Sequence, residues 1–132
     1  MRDSLDVDGC WRKFPTPFAA AGEKAYETHV AWGLFEAERV APGHGYGDAG
    51  LRQVDWALTK QTDNGWFGSN CLTNPQAPLT HTIGYVLRGV LEGYLLSGRP
   101  DLLSAARKTA DGLIPAIGAD GRHPCLLYTS PS

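Results

Sequence analysis

QTDNGWF, residues 61–67, places an Asn-Gly turn between two stretches with helical periodicity. Asn and Asp side chains bond to their own backbone in turns, and glycine adopts positive φ without a Cβ clash. Similar turns occur as DGCW at residues 8–11 and as DGR at residues 120–122. Their glycines are evenly spaced, since 65 − 9 = 56 and 121 − 65 = 56. The sequence therefore predicts two full copies of a 56-residue repeat, each ending in an Asx-Gly turn.

The second copy contains two segments with helical periodicity. In the first segment apolar residues recur at steps of three and four, which places them on one helical face. These residues are Leu79, Ile83, Leu87, Val90, Leu91, Tyr94 and Leu95. Gly98 and Pro100 then suit a helix end and a helix start. The second helix should end by Ile114, because Pro115 follows it.

The first copy is interpreted in the same way, with helices predicted at residues 28–40 and 48–62 around the loop PGHGYG. Paired helices in a long repeat do not bury their apolar faces alone, so several copies must stack or close into a ring. The predicted fold class is therefore all-α, built from α-hairpin repeats.

One segment carries a resemblance to a known fold class. QTDNGWF, the polar loop after it and LTHTIGY at residues 79–85 resemble bacterial proteins of the (α/α) toroid class. That class includes six-hairpin glycosidases, N-acylglucosamine 2-epimerase-like enzymes, and terpenoid cyclases with prenyltransferases. The resemblance covers roughly residues 8–124. It implies a partial toroid whose inner helices line a central cavity, with the loops at their N-termini forming its mouth.

The last eight residues, CLLYTSPS at 125–132, are unlike the repeat that precedes them. They match, residue for residue, a translation of the transposon-end and adapter DNA used to prepare sequencing libraries. We therefore expect residues 1–124 to form a partial (α/α) toroid of about two hairpin repeats, and residues 125–132 to be a non-native read-through tail. The alternative is a genuine short C-terminal strand.

A polar stripe is predicted on the first helix of the second copy. His81, Tyr85, Arg88 and Glu92 are spaced by four, three and four residues, so they share a face opposite the apolar stripe. His81 lies where the long polar loop enters the helix. The alternative is that Arg88 and Glu92 form only a solvated ion pair.

The first helix of the first copy carries a matching set. Alignment of the two helices makes Trp32 equivalent to Tyr85, with His29 one turn before Trp32 and Glu36 one turn after it. Aromatic rings beside His, Arg and Glu suit a pyranose, which offers an apolar C–H face and a rim of hydroxyls. The alternative is that both aromatic residues pack in the core.

The loop at residues 64–80 is the longest irregular stretch and is rich in Gly, Asn and Pro. Such loops inside compact repeats tend to be functional. The further candidates for substrate binding are Trp66, Phe67, Asn70 and Asn74. Their alternative role is to plug the end of the toroid.

The leading functional prediction is a carbohydrate-active toroid enzyme of the glycoside hydrolase or sugar epimerase type. A terpenoid-cyclase or prenyltransferase-like toroid is one alternative, although Gln61 and Gly65-Trp66 fall one residue short of the Q-x-x-x-G-x-W pattern of cyclases. A non-catalytic helical repeat that binds glycan or protein is the other. Glycoside hydrolysis generally needs two carboxylates, and no catalytic pair is assigned. Asp55 and Asp111 are repeat equivalents, which favours a structural role.

Composition bears on cofactors and partners. The four histidines lack the i,i+4 spacing of helical zinc sites and the three cysteines lack CxxC spacing, so we expect no metal and no cofactor. A net charge of −2 without a Lys/Arg cluster predicts no nucleic-acid partner. The N-terminus does not resemble a signal peptide and no apolar run spans a bilayer, so we expect no membrane partner and a cytoplasmic location. The expected partner is a small-molecule or glycan substrate, and the oligomeric state is left open.

Overall fold

The computed structural model describes residues 1–13, 22–71 and 78–125. These ranges contain four α-helices and no β-strand, and Gln61 and Phe67 form an isolated antiparallel bridge. The helices are α1 (Thr28–Val40), α2 (Tyr46–Leu58), α3 (Thr80–Ser97) and α4 (Pro100–Leu113). Single 3-10 turns lie at Arg2–Ser4, Ala25–Glu27 and Ile114–Ala116. The predicted all-α class is confirmed.

The helices form two hairpins that pack side by side. α1 packs against α2 and α3 against α4, while α1 also packs against α3. The hairpins therefore meet mainly through their first helices. No helix in the described ranges is both long and apolar enough to cross a bilayer.

Helix limits follow from local chemistry. Gly98, at φ +71°, ends α3 and donates its N–H to Tyr94 O at 2.7 Å, and Pro100 then opens α4. α2 starts earlier and stops earlier than predicted, at Tyr46 and Leu58 rather than over residues 48–62. It begins directly after Gly45, whose φ is +76°. Beyond Leu58 the N–H groups of residues 59–61 donate to the carbonyl oxygens three residues back. This is the 3-10 pattern, which is tighter than an α-helix and leads into the Asn-Gly turn.

The three Asx-Gly turns share one hydrogen-bond pattern. The Asx side-chain oxygen accepts the N–H two residues ahead, at 3.1, 3.0 and 3.0 Å for Asp8, Asn64 and Asp120. The glycine N–H donates to the carbonyl three residues back at 2.9 Å in every copy. The glycine φ values are +96°, +87° and +78° for Gly9, Gly65 and Gly121. The three turns are thus alike in backbone structure as well as in sequence.

Two of these turns are pressed against a helix. A Cβ on Gly9 would lie 2.3 Å from the carbonyl oxygen of Arg52 in α2, and a Cβ on Gly65 would lie 2.1 Å from that of Lys108 in α4. The two contacted residues are repeat equivalents, since 108 − 52 = 56. Each turn therefore packs on the second helix of the hairpin that follows it.

The first turn is also held by charge. Arg12 makes ion pairs with Asp8 at 2.8 Å, Asp6 at 2.9 Å and Glu23 at 2.8 Å. The hydrogen bond from Arg12, helped by the backbone N–H of Cys10, lowers the pKa of Asp8 to about 2. Arg12 and, next, Lys60 lower the pKa of Glu23 as well.

We expect this cluster to make part of the stability acid-sensitive. A carboxyl group whose pKa is lower in the folded chain stabilises the fold above its unfolded pKa, and that contribution is lost as pH falls through the folded pKa. For Asp8 the window runs from its ordinary value of 3.8 down to about 2. When the pH is lowered from about 5 to about 2, the melting temperature of an Arg12→Gln variant should therefore fall less than that of the parent. Equal losses would show that Arg12 does not set these pKa values.

Candidate functional site on the paired first helices

Four aromatic rings from α1 and α3 form a continuous row on one surface. The ring centroid of His29 lies 4.5 Å from that of Tyr85 and 5.7 Å from that of Trp32. The His81 ring packs edge-on against Tyr85 at 5.5 Å. Tyr85 is 42% exposed, so the row is open to ligands. The structure thus brings together four residues that the sequence placed on two separate helices.

This row lies on what we call the α1/α3 face. It comprises His29, Trp32, Glu36, Arg39, His81, Tyr85, Arg88 and Glu92.

A glycine allows the two helices to approach closely enough to form this face. A Cβ on Gly89 of α3 would lie 2.2 Å from the carbonyl oxygen of Thr28 at the start of α1. The Thr28 hydroxyl also lies 3.4 Å from Tyr85 O and donates to it. Thr28 and Gly89 are both buried, so this contact is part of the helix interface. Position 89 therefore sets the distance between the two halves of the row.

Next to the aromatic row, four charged side chains and Trp32 contact one another in a closed ring. The Arg88 guanidinium lies over the indole, 4.2 Å from its centroid, and pairs with Glu92 at 2.7 Å. Arg39 bridges the two carboxylates, pairing with Glu92 at 3.5 Å and with Glu36. The indole N–H of Trp32 donates to Glu36 at 3.1 Å. Each charge in the ring has an opposite partner, so its net charge is zero.

Glu92 differs from an ordinary surface carboxylate. Its side chain is 8% exposed, whereas that of Arg88 is 53% exposed. The Arg88–Glu92 ion pair forms as the spacing predicts, but its carboxylate is not solvated. A buried carboxylate is tolerated only where opposite charges and hydrogen bonds compensate its lost hydration, and here two arginines do so.

The other expected site residues lie elsewhere. The indole N–H of Trp66 donates to Gly112 O at 3.0 Å, which holds the ring against α4. Phe67 is 4% exposed in the core, and Asn70 is 1% exposed, with its backbone carbonyl accepting a hydrogen bond from the Thr82 hydroxyl at 2.7 Å. The structure does not bring these three residues to the α1/α3 face. Asn74 lies outside the described residues.

The sequence interpretation missed Arg39, the residue that joins the two halves of the charged ring. Its spacing from Glu36 was a usable signal, because charges three residues apart on a helix are neighbours. Its second contact, with Glu92, depends on the packing of α1 on α3 and has no local signal. Asp55, by contrast, pairs with Arg99 at 2.7 Å and ties α2 to the start of α4, as a structural residue would.

The chemistry available on this face is aromatic stacking combined with charge-assisted hydrogen bonding. Arg88 covers one side of Trp32, so Tyr85 and the two imidazoles present the accessible rings. A concavity of about 730 Å³ lies beside α4, lined in part by Asp63, Lys108 and Asp111, and no residue of the α1/α3 face lines it. In the described ranges, no three His, Cys, Asp or Glu side chains gather as a metal site would require.

Comparison with known proteins gives no family assignment. No family model matches the chain, and no curated protein matches it.

Proposed function

We propose that the α1/α3 face is a sugar-binding wall in a carbohydrate-active (α/α) toroid enzyme of the glycoside hydrolase or sugar epimerase type. The observation that carries this proposal is the row from His81 through Tyr85, His29 and Trp32 to Arg88. A row of neighbouring rings ending in a guanidinium offers stacking surface and hydrogen-bond donors side by side. A pyranose needs both, for its C–H face and its hydroxyl rim.

The charged ring favours a sugar over a hydrocarbon substrate. Glu36, Arg39 and Arg88 of this face are partly exposed, and a bound polyprenyl chain would remove water from their charges without returning hydrogen bonds. Sugar hydroxyls replace that water, since each hydroxyl both donates and accepts. The charged ring therefore makes the α1/α3 face less suitable as the cavity lining of an isoprenoid cyclase.

The individual residues are assigned distinct roles in this proposal. Tyr85 and His29 stack against the sugar ring. His81, at the start of α3, donates to or accepts from a hydroxyl. Arg88 keeps one edge on Glu92 and turns its remaining N–H groups toward the ligand, where they suit the carboxylate of an acidic sugar.

Ligand titration tests this proposal. The full chain is titrated with neutral and with uronate-containing oligosaccharides, followed by calorimetry or by chemical shifts. We expect Tyr85→Ala to weaken binding of both classes at least tenfold, about 1.4 kcal/mol. His81→Ala should weaken both as well, while Arg88→Ala should act mainly on the acidic sugars.

Matched controls separate binding from folding. His44 and Arg107 are exposed and lie outside the α1/α3 face, so His44→Ala and Arg107→Ala should leave affinity unchanged. Each variant is checked by circular dichroism for parental helix content. Parental affinity in both His81→Ala and Arg88→Ala would remove the basis for a sugar wall here.

A further inference from the structure

The third Asx-Gly turn repeats the first two in its own hydrogen bonds but not in its surroundings. Gly9 and Gly65 are buried against helix carbonyl oxygens, whereas Gly121 is exposed and a Cβ placed on it would meet nothing within 4 Å. The backbone that forms the contact is the same in all three copies, and only the third copy lacks a helix against it among the described residues.

A second position shows the same difference. Leu5, Gln61 and Ile117 are repeat equivalents, since 61 − 5 = 56 and 117 − 61 = 56. Leu5 packs on the core, and the Gln61 amide donates to Ala105 O and to the Thr109 hydroxyl, both at 3.0 Å. Ile117 is 44% exposed. Ile117 is therefore an apolar residue at the position equivalent to Leu5. Its side chain is partly exposed, whereas Leu5 packs on the core.

We propose that residues 117–122 are the docking surface for the second helix of a further hairpin of this repeat. The occupant follows from the two occupied copies, because each turn docks on the second helix of the hairpin that comes after it. This interface continues one that the molecule already uses twice.

The occupied copies also define the chemistry of the docking helix. α2 offers AGLRQ at residues 49–53 and α4 offers AARKT at residues 105–109. Both segments read Ala, small residue, any residue, basic residue, polar residue. In both copies the carbonyl of the basic residue faces the glycine of the turn. The docking helix should carry the same five-residue pattern.

An extended chain tests the proposal. It consists of residues 1–122 followed by a second copy of residues 67–125, which places the copied Lys108 at position 164, since 108 + 56 = 164. Gly65→Ala and Gly121→Ala are then compared in the 132-residue chain and in the extended chain. The two glycines have φ of +87° and +78°, so backbone strain from alanine is similar and the helix contact accounts for the difference.

In the 132-residue chain we expect Gly65→Ala to lower the melting temperature by roughly 5–15 °C more than Gly121→Ala does. In the extended chain the Gly121→Ala penalty should rise to that of Gly65→Ala. An equal Gly121→Ala effect in both chains would overturn the proposal. A penalty that depends on protein concentration would also overturn it, because the site would then belong to a second molecule.

Discussion

Gly89→Ala should lower the free energy of unfolding by about 2–3 kcal/mol, as expected for overpacking at a tight helix contact. The added methyl group would lie 2.2 Å from the carbonyl oxygen of Thr28, so α1 and α3 must move apart. Thr28 O is backbone at the start of a helix and has no side-chain rotation with which to yield. Separation of the helices also displaces Tyr85 from His29, so the aromatic row should open.

Gly84 provides a control on the same helix. A Cβ there would meet nothing within 4 Å, so Gly84→Ala brings the helix propensity of alanine without a clash. It should raise the free energy of unfolding by up to about 1 kcal/mol. Urea unfolding monitored by circular dichroism measures both variants. If both substitutions changed the free energy of unfolding in the same direction, helix propensity rather than the spacing between α1 and α3 would determine the effect of alanine in α3.

Phe35→Ala should cost about 3–5 kcal/mol of unfolding free energy, the range for removal of a buried phenylalanine. Phe35 is 0% exposed and lies where α1, α2 and α3 meet. Its ring occupies space left by two glycines: a Cβ on Gly50 would lie 2.5 Å from it, and a Cβ on Gly93 would lie 3.4 Å from it. Truncation therefore leaves a cavity lined in part by the backbone of these two glycines, which have no side chains to fill it.

A double-mutant cycle makes this second prediction sharper. In the parent, Gly50→Ala should destabilise the fold because the new methyl group collides with the Phe35 ring. In the Phe35→Ala background that ring is gone, so Gly50→Ala should be neutral or stabilising. Additive free energies of unfolding would mean that the two residues do not share this space, contrary to the structure.

Sequence patterns predicted the features that local chemistry controls. The limits of α1 follow from periodicity, and the three turns follow from Asx-Gly pairs, whose hydrogen bonds close within five residues. The face that contains His81, Tyr85 and Arg88 was also predictable, because spacings of three and four residues place side chains together on any helix. These features can be predicted without knowing which elements pack against each other.

Other features depend on contacts across the fold. Trp66 was expected in the ligand site because its loop is long and polar, but the carbonyl of Gly112 fixes its indole on α4. Nothing near Trp66 in the sequence identifies that acceptor. The Arg39–Glu92 pair likewise joins residues from different hairpins, and it forms because Gly89 admits α1 so closely. The closure of a toroid remains a prediction, since it concerns contacts with hairpins beyond the two described.

The position of Arg88 over Trp32 gives the α1/α3 face an internal optical probe. The chain has four tryptophans, of which Trp11 and Trp56 are buried and Trp66 is tied to α4. Trp32 alone among them lies on this face, with a cation 4.2 Å above its ring and a carboxylate on its indole N–H. Indole emission responds to nearby charge and to loss of water. A molecule that settles on this face and shifts Arg88 therefore changes the fluorescence of an unlabelled protein.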